Sequence, residues 1–345
     1  MNIYLPNGYV NIPLLLKPSN TFHTYIFVGG RATGKSYGVL DYLCNSNEKF
    51  FYMRTQQTEL ELMSDPEFNP FNSLNINNGT DLTLKKRGKY TTGIYPTHQD
   101  SKTGENLKGM CLALSTAYHV RGMDAQSYKT LFYDEIIPEP HVRMIKEQYK
   151  AVKGAYETFN RNRELQGNPP MRLIMCGNSD DINNDVLAGY HLIDELFKMR
   201  DLGIEVKDYP ERGLRVVYTL KSPISEQKLD TANYKGQDND SYTRMAIGNE
   251  FTQFYHGNIQ TKNLKQFSPL IRIGDIGIFK SKGSERCIYV SQCTNDRFKY
   301  NYGLTDFELM QFRYKHSLLR DLYLQGNLTF ENAYCEITFF NLWKK

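Results

Sequence analysis

The chain has little of what would place it outside ordinary globular proteins. Its six cysteines, Cys44, Cys111, Cys176, Cys287, Cys293 and Cys335, are scattered and form no C-x-x-C pair, which excludes a disulfide framework and a zinc site of the usual spacing. No run approaches about 18 uninterrupted apolar residues. Met1-Asn2-Ile3-Tyr4-Leu5-Pro6 lacks the basic start and apolar core of a secretion signal, so the expectation is a cytoplasmic protein with no membrane partner. There is no internal repeat, no low-complexity tract and a single Trp against 25 Tyr and 19 Phe. The abundant rings suit core packing and also stacking platforms for nucleic acid. The N-K-x-D string that selects guanine is missing as well.

What remains is 345 residues of ordinary globular composition, 40% hydrophobic and 23% charged, enough for one large core and a second, smaller domain. Charge is unevenly placed. From His256 onward there are 13 Lys and Arg against 8 Asp and Glu, a net of +5 where the whole chain carries +4, so the first 255 residues come to −1. A basic module joined to a near-neutral one suits a polyanionic partner, and equally a plain solvated surface.

The motif with the most chemistry is the run Gly29, Gly30, Arg31, Ala32, Thr33, Gly34, Lys35, Ser36, a G-x-x-x-x-G-K-[ST] loop. It follows the apolar run Tyr25–Val28 and opens onto a helical pattern beginning at Tyr37. Glycines let backbone N–H groups turn inward around phosphates. Lys35 can reach the β- and γ-phosphates, Ser36 can ligate Mg²⁺, and the helix points its positive end at the anion. ATP with Mg²⁺ is the ligand this implies. Hydrolysis further requires a carboxylate for the metal and a base for the water. Thr130-Leu131-Phe132-Tyr133-Asp134-Glu135 supplies both in order, Asp134 in the Walker B position and Glu135 as the base. Asn178, after the run Met171–Cys176, stands where a γ-phosphate sensor or a turn-forming Asn is found. Arg161 and Arg163 suit either closure of a helix or delivery of a cation to a phosphoryl group.

The order of elements reads as α/β. From Thr24 to about Leu220, β-rich runs at Tyr25–Val28, Phe50–Arg54, Met110–Ser115, Thr130–Asp134, Met171–Cys176 and Leu214–Leu220 alternate with helical stretches, the pattern of a mainly parallel sheet covered on both faces. Leu82–Lys86 and Tyr90–Tyr95 look like an antiparallel hairpin at an edge. Val142, Ile145, Tyr149, Val152, Tyr156 and Phe159, spaced 3, 4, 3, 4, 3, predict one helix over about His141–Arg163. The expected domains are 1–224 for the nucleotide-binding core, 225–256 as a polar linker or lid, and 257–345 as a small α+β domain with a helical stretch over about Asp306–Gln325.

With G-G-R-A-T-G-K-S, F-F-Y-M-R-T, L-F-Y-D-E-I, F-N-R-N-R-E and M-C-G-N-S in hand, the chain resembles the DNA-packaging ATPases of small podophages with protein-primed genomes, relatives of the large terminase subunits. The resemblance implies a RecA-like ASCE P-loop ATPase domain, a helical linker and a C-terminal domain like a vestigial RNase H-type nuclease. It assigns Lys35 and Ser36 to phosphate and Mg²⁺, Asp134 to the metal, Glu135 to catalysis, Arg161 to a trans-acting finger and Arg121 to a second cation reaching the neighbouring subunit. Arg31 falls on a loop arginine, and Arg54 lies in a strand that borders the nucleotide base. The implied partners are double-stranded DNA, a homo-oligomeric ring of five subunits, the portal of a procapsid in the host cytoplasm, and a packaging RNA. Lys102, Lys108, Arg87 and Lys89 are candidates for lining a DNA channel. The eight acids after His256 include no close pair beyond Asp306 and Glu308, which argues against two-metal DNA cleavage. A hexameric helicase shares the core chemistry, and a regulatory nucleotide switch is the alternative outside enzymes.

Overall fold

Each β-rich run of the first two thirds forms a strand in the computed structural model, which describes residues 2–17, 21–138, 145, 147–179, 182, 184–235, 243, 246–247, 258–283, 287–295 and 297–343. Among the described residues nine strands make one sheet in the order β3-β4-β5-β2-β6-β7-β1-β9-β8. These are β1 (Thr24–Gly29), β2 (Lys49–Arg54), β3 (Thr83–Lys86), β4 (Thr92–Tyr95), β5 (Gly109–Ala113), β6 (Tyr128–Tyr133), β7 (Arg172–Asn178), β8 (Val206–Tyr209) and β9 (Leu214–Thr219). The six central strands from β5 to β9 are mutually parallel. The β3–β4 hairpin is antiparallel at one edge, as the alternating stretch predicts, and β8 adds an antiparallel strand at the other.

Alternation along β2 shows how both faces are covered. Phe50 and Tyr52 join the core cluster that holds Val39, Leu40 and Leu43 of the helix Lys35–Asn45. Phe51, between them, stacks on Phe159 of the helix Gln148–Asn160 with ring centroids 4.5 Å apart. That helix is shorter than the periodicity suggests. Ile145 lies outside it and Glu147 takes a left-handed backbone, φ 52°; 139–144 and 146, with Val142 among them, lie outside the described residues. The apolar spacing continues upstream of a conformation that no helix contains, so period alone overruns the true start.

The chain divides into two compact units, Met1–Tyr190 with Leu196–Thr252, and His191–Glu195 with Gln253–Lys345. In the second, β10 (Phe267–Ile273), β11 (Ile276–Ser281), β12 (Ile288–Ser291), β13 (Tyr300–Tyr302) and β14 (Leu328–Phe330) form a mixed sheet in the order β13-β10-β11-β12-β14. Its core gathers Ile271, Ile278, Val290, Phe312, Phe330 and Phe339. The helical stretch expected over Asp306–Gln325 is two helices, Asp306–Lys315 and Leu318–Leu324, with His316 and Ser317 between them. The last apolar run forms the helix Ala333–Asn341, started by the Asn332 side chain accepting from the Cys335 N–H.

Candidate functional site

The loop between β1 and the helix Lys35–Asn45 turns at backbone positions that exclude or strain a side chain. Gly29, at φ 147°, has no room for a side chain: a Cβ there would meet the Thr219 Oγ1 at 1.9 Å. Gly34 closes the loop in the left-handed region and caps the helix. Ala32, φ 54°, holds a left-handed conformation in which an ordinary side chain is strained. The buried Lys35 ammonium donates to the Gly29 carbonyl at 3.1 Å, to the Gly30 carbonyl at 2.6 Å and to the Thr33 hydroxyl at 3.2 Å. This lysine therefore stands inside the loop rather than on its rim.

The acid pair arrives from the end of β6. Asp134, buried, accepts from the Ser36 hydroxyl at 2.6 Å, so residues 98 positions apart put two hard oxygen donors side by side. Tyr52 Oη donates to the other carboxylate oxygen of Asp134 at 3.2 Å. Glu135 follows in a left-handed backbone, φ 57°, which turns its half-exposed side chain away from the strand direction. Its carboxylate meets Arg54 Nη2 at 2.5 Å, and that same nitrogen meets Glu59 at 2.9 Å while Nη1 lies 3.6 Å from Asp134. Burial raises the Glu135 pKa above the usual carboxylate value; Arg54 opposes this, and Asp134 and Glu59 add to it. A carboxyl group pushed up by desolvation beside a cation has the basicity and the orientation to draw a proton from water.

Asn178 comes to the same place, since the last pair of the β1–β7 ladder sets Gly29 opposite it. Tyr37, on the helix after the loop, is 39% exposed and its hydroxyl accepts from Asn77 Nδ2 at 2.9 Å. Arg54, in the strand that the resemblance sets along the nucleotide base, lies on the acids in this structure. Sequence reading missed Tyr52, Glu59 and the buried chain from Thr55 to Tyr133 Oη to Gln148, with contacts of 2.8 and 2.6 Å. Strand alternation carries the one available signal, since Tyr52 and Arg54 share a face of β2.

The remaining cations gather elsewhere. The helix Gln148–Asn160 runs antiparallel to β6: Gln148 bonds Tyr133 Oη and the Ile136 carbonyl near the acid pair, whereas Asn160 receives the Met171 N–H at the start of β7. Its 13 residues rise roughly 20 Å, so Arg161 stands at the opposite end of the sheet from its own phosphate loop. Exposed, φ 49°, it donates to the Met123 carbonyl at 2.8 Å, close in sequence to the exposed Arg121. Arg163 has another fate. It is buried, and its Nη2 donates to the carbonyls of Ala125, Gln126 and Tyr128 at 2.7, 2.9 and 2.6 Å. Of the channel candidates, Lys102 is exposed in the helix His98–Thr103. Arg87 donates to Tyr95 Oη at 3.0 Å, Lys89 lies over the Tyr90 ring at 5.2 Å, and Lys108 is turned to the Ser46 carbonyl.

In the second unit three of the described acids serve local structure. Glu331 accepts from Ser291 and the Gln292 N–H, Glu308 from Thr305 and the Gly303 N–H, and Asp275 from Tyr334. No helix among the described residues is long and apolar enough to cross a membrane. All six cysteines are free.

Residues 13–345 match the model of the family described as podovirus DNA encapsidation protein (Gp16). The fold is similar to the Phi-28 gp11 DNA packaging motor, with 17% identity and a TM-score of 0.60 over 96% of this chain and 98% of that one. It is also similar to a chain of the bacteriophage Phi-29 viral genome packaging motor assembly, with 18% identity and a TM-score of 0.64 over 99% of each. None of the curated proteins matches the chain.

Proposed function

The chain belongs to the podovirus DNA encapsidation protein (Gp16) family, and from that premise we propose that it is the motor's ATPase, coupling ATP hydrolysis to the movement of double-stranded DNA into a procapsid. The observation that carries this reading is the 2.6 Å contact of Ser36 Oγ with Asp134 Oδ1, with Glu135 next in the chain. It joins a phosphate loop to a carboxylate pair, the two halves of a phosphoryl-transfer site.

The donor set fits Mg²⁺, which prefers hard oxygens and keeps most of its other positions for water and phosphates. Ser36 and Asp134 would hold it, and when bound it would supply charge neutralisation at the β- and γ-phosphates. The loop's N–H groups and Lys35 bind the triphosphate, Asn178 stands beside Gly29 to read its end, and Glu135 takes the proton of the attacking water. Tyr52 keeps Asp134 aimed at Ser36, and Arg54 orients Glu135.

Arg161 serves another subunit. Its place at the far end of the sheet from its own loop supports action in trans, together with Arg121. A residue that must enter a neighbour's site implies repeated head-to-tail contacts, which close into a ring. Five subunits, docking at a portal vertex in the host cytoplasm and a packaging RNA follow from the resemblance. DNA is held through its phosphates, because a motor has to tolerate every sequence. The local duties of Glu331, Glu308 and Asp275 support a second unit without nuclease activity.

The test is ATP turnover by wild type and Glu135→Gln, with and without duplex DNA, across a salt series. Turnover that rises with DNA, falls with salt and vanishes in Glu135→Gln is the expected result. Turnover indifferent to DNA in an assembled ring would sink the reading.

A further inference from the structure

A phosphate loop offers its N–H groups to an anion only while its carbonyls are held the other way. Donors from outside the loop hold several of its carbonyls, that of Gly29 by the Ser179 N–H at 3.1 Å among them. The Val10 N–H donates to the Thr33 carbonyl at 3.1 Å, and Lys228 Nζ donates to the Arg31 carbonyl. Lys228 lies 197 residues further along the chain. It begins the 3-10 helix Lys228–Asp230, directly after the helix Pro223–Gln227 that follows β9. β9 is the neighbour of β1, with Thr219 opposite Gly29, so Lys228 reaches the loop from the strand beside it.

The ammonium is half-buried, and burial lowers its pKa. Among the described residues no carboxylate pairs with it. A desolvated cation without a counter-charge is unfavourable. The Arg31 carbonyl dipole offsets part of that, and the negative charge of a triphosphate on the same loop offsets more.

We propose that Lys228 is a positioning residue for the nucleotide: it holds the Arg31 carbonyl outward, keeps the loop's N–H groups turned toward the phosphates, and ties the loop to the helical segment Pro223–Asp230 that follows β9. The assignment rests on the reading of the loop as an ATP site. Linkage makes it reciprocal, so that a loop filled by nucleotide holds this segment more firmly than an empty one.

The test uses the full-length protein as wild type, Lys228→Met and Lys228→Arg, with two readouts. Hydrogen exchange at residues 31–34 is followed without nucleotide, and binding of a fluorescent ATP analogue is titrated. Lys228→Met should exchange faster at the loop and bind the analogue about tenfold more weakly, the scale of one charge-assisted hydrogen bond. The Michaelis constant for ATP should rise more than turnover at saturation falls. Lys228→Arg, which keeps the cation, should retain both properties and serves as the folding control. Loop exchange that is unchanged in Lys228→Met overturns the proposal, and so does faster exchange with unaltered analogue affinity. Wild type that binds no analogue while Lys228→Met still loosens the loop would uphold the positioning role and defeat the ATP reading instead.

Discussion

The Arg54 guanidinium meets the Glu135 carboxylate at 2.5 Å and, through the same nitrogen, Glu59 at 2.9 Å. One cation thus sits between the proposed base and a second acid on the helix Gln57–Met63. Desolvation raises the Glu135 pKa and Arg54 lowers it, so the arginine sets both where the base points and when it is ionised.

Arg54→Ala should therefore move the acid limb of the turnover profile to higher pH. Glu135 must be ionised to accept a proton, and losing the cation lets desolvation and the neighbouring acids push its pKa further up. Turnover should also fall by on the order of 10²-fold through loss of orientation, with nucleotide affinity little changed. An acid limb that stays in place would show that Arg54 does not act through Glu135.

Two arginines two residues apart should behave as opposites. Arg161→Ala should leave stability and ATP binding intact while abolishing turnover, and mixing it with Lys35→Ala protein should restore some activity if the arginine works between subunits. Arg163→Ala removes a buried cation bonded to three carbonyls and should cost about 3 kcal/mol of stability. Denaturant unfolding and mixed-subunit turnover check the pair; equal losses of stability in both variants would refute the division of roles.

Ala32 gives a prediction of near balance. Its left-handed backbone, φ 54°, is costly for any residue with a Cβ, so Ala32→Gly should relieve about 1 kcal/mol of strain in the folded state. The greater freedom of glycine in the unfolded chain offsets up to that amount. Net stability should change by less than about 1 kcal/mol, and hydrogen exchange at the loop should rise. A large loss of stability would mean that the Ala32 methyl group makes packing contacts that matter more than the strain.

The loop and the acid pair were legible because each is written in consecutive residues: G-G-R-A-T-G-K-S and the Asp134–Glu135 step need only a strand before them to be understood. The parallel core was legible for a similar reason, since strands such as β1, buried along its whole length, read as unbroken apolar runs. The ion pairs of Arg54 are not legible because its partners come from two other elements, and sequence gives no distance between β2, the end of β6 and the helix Gln57–Met63. An apolar period does not register the left-handed turn at Glu147, so it predicts too long a helix before Arg161. Lys228 was invisible because its partner is a backbone carbonyl, which every residue has.

The second unit carries its own titration test. Glu336 is buried in the helix Ala333–Asn341, one of its carboxylate oxygens has no hydrogen-bond partner, and desolvation raises its pKa from 4.5 to about 7. The direction of the effect follows from the two states. Between about pH 4.5 and 7 the unfolded chain releases this proton while the folded one keeps it. Stability is therefore greatest at the acid end of that window and falls as pH rises through it. Above the window it stays lower by no more than about 3.5 kcal/mol, a tenfold change in proton affinity being worth about 1.4 kcal/mol. Glu336→Gln, which cannot ionise, should remove this decline. The variant should match wild type near pH 4 and resist denaturant better at pH 8. The chain's single Trp, Trp343, packs against the core of this unit, so its fluorescence during urea unfolding of the full-length protein reports the right transition. Identical midpoints for the two proteins at pH 8 would mean that Glu336 is solvated or paired in solution, and the buried, uncompensated carboxyl would have to be given up.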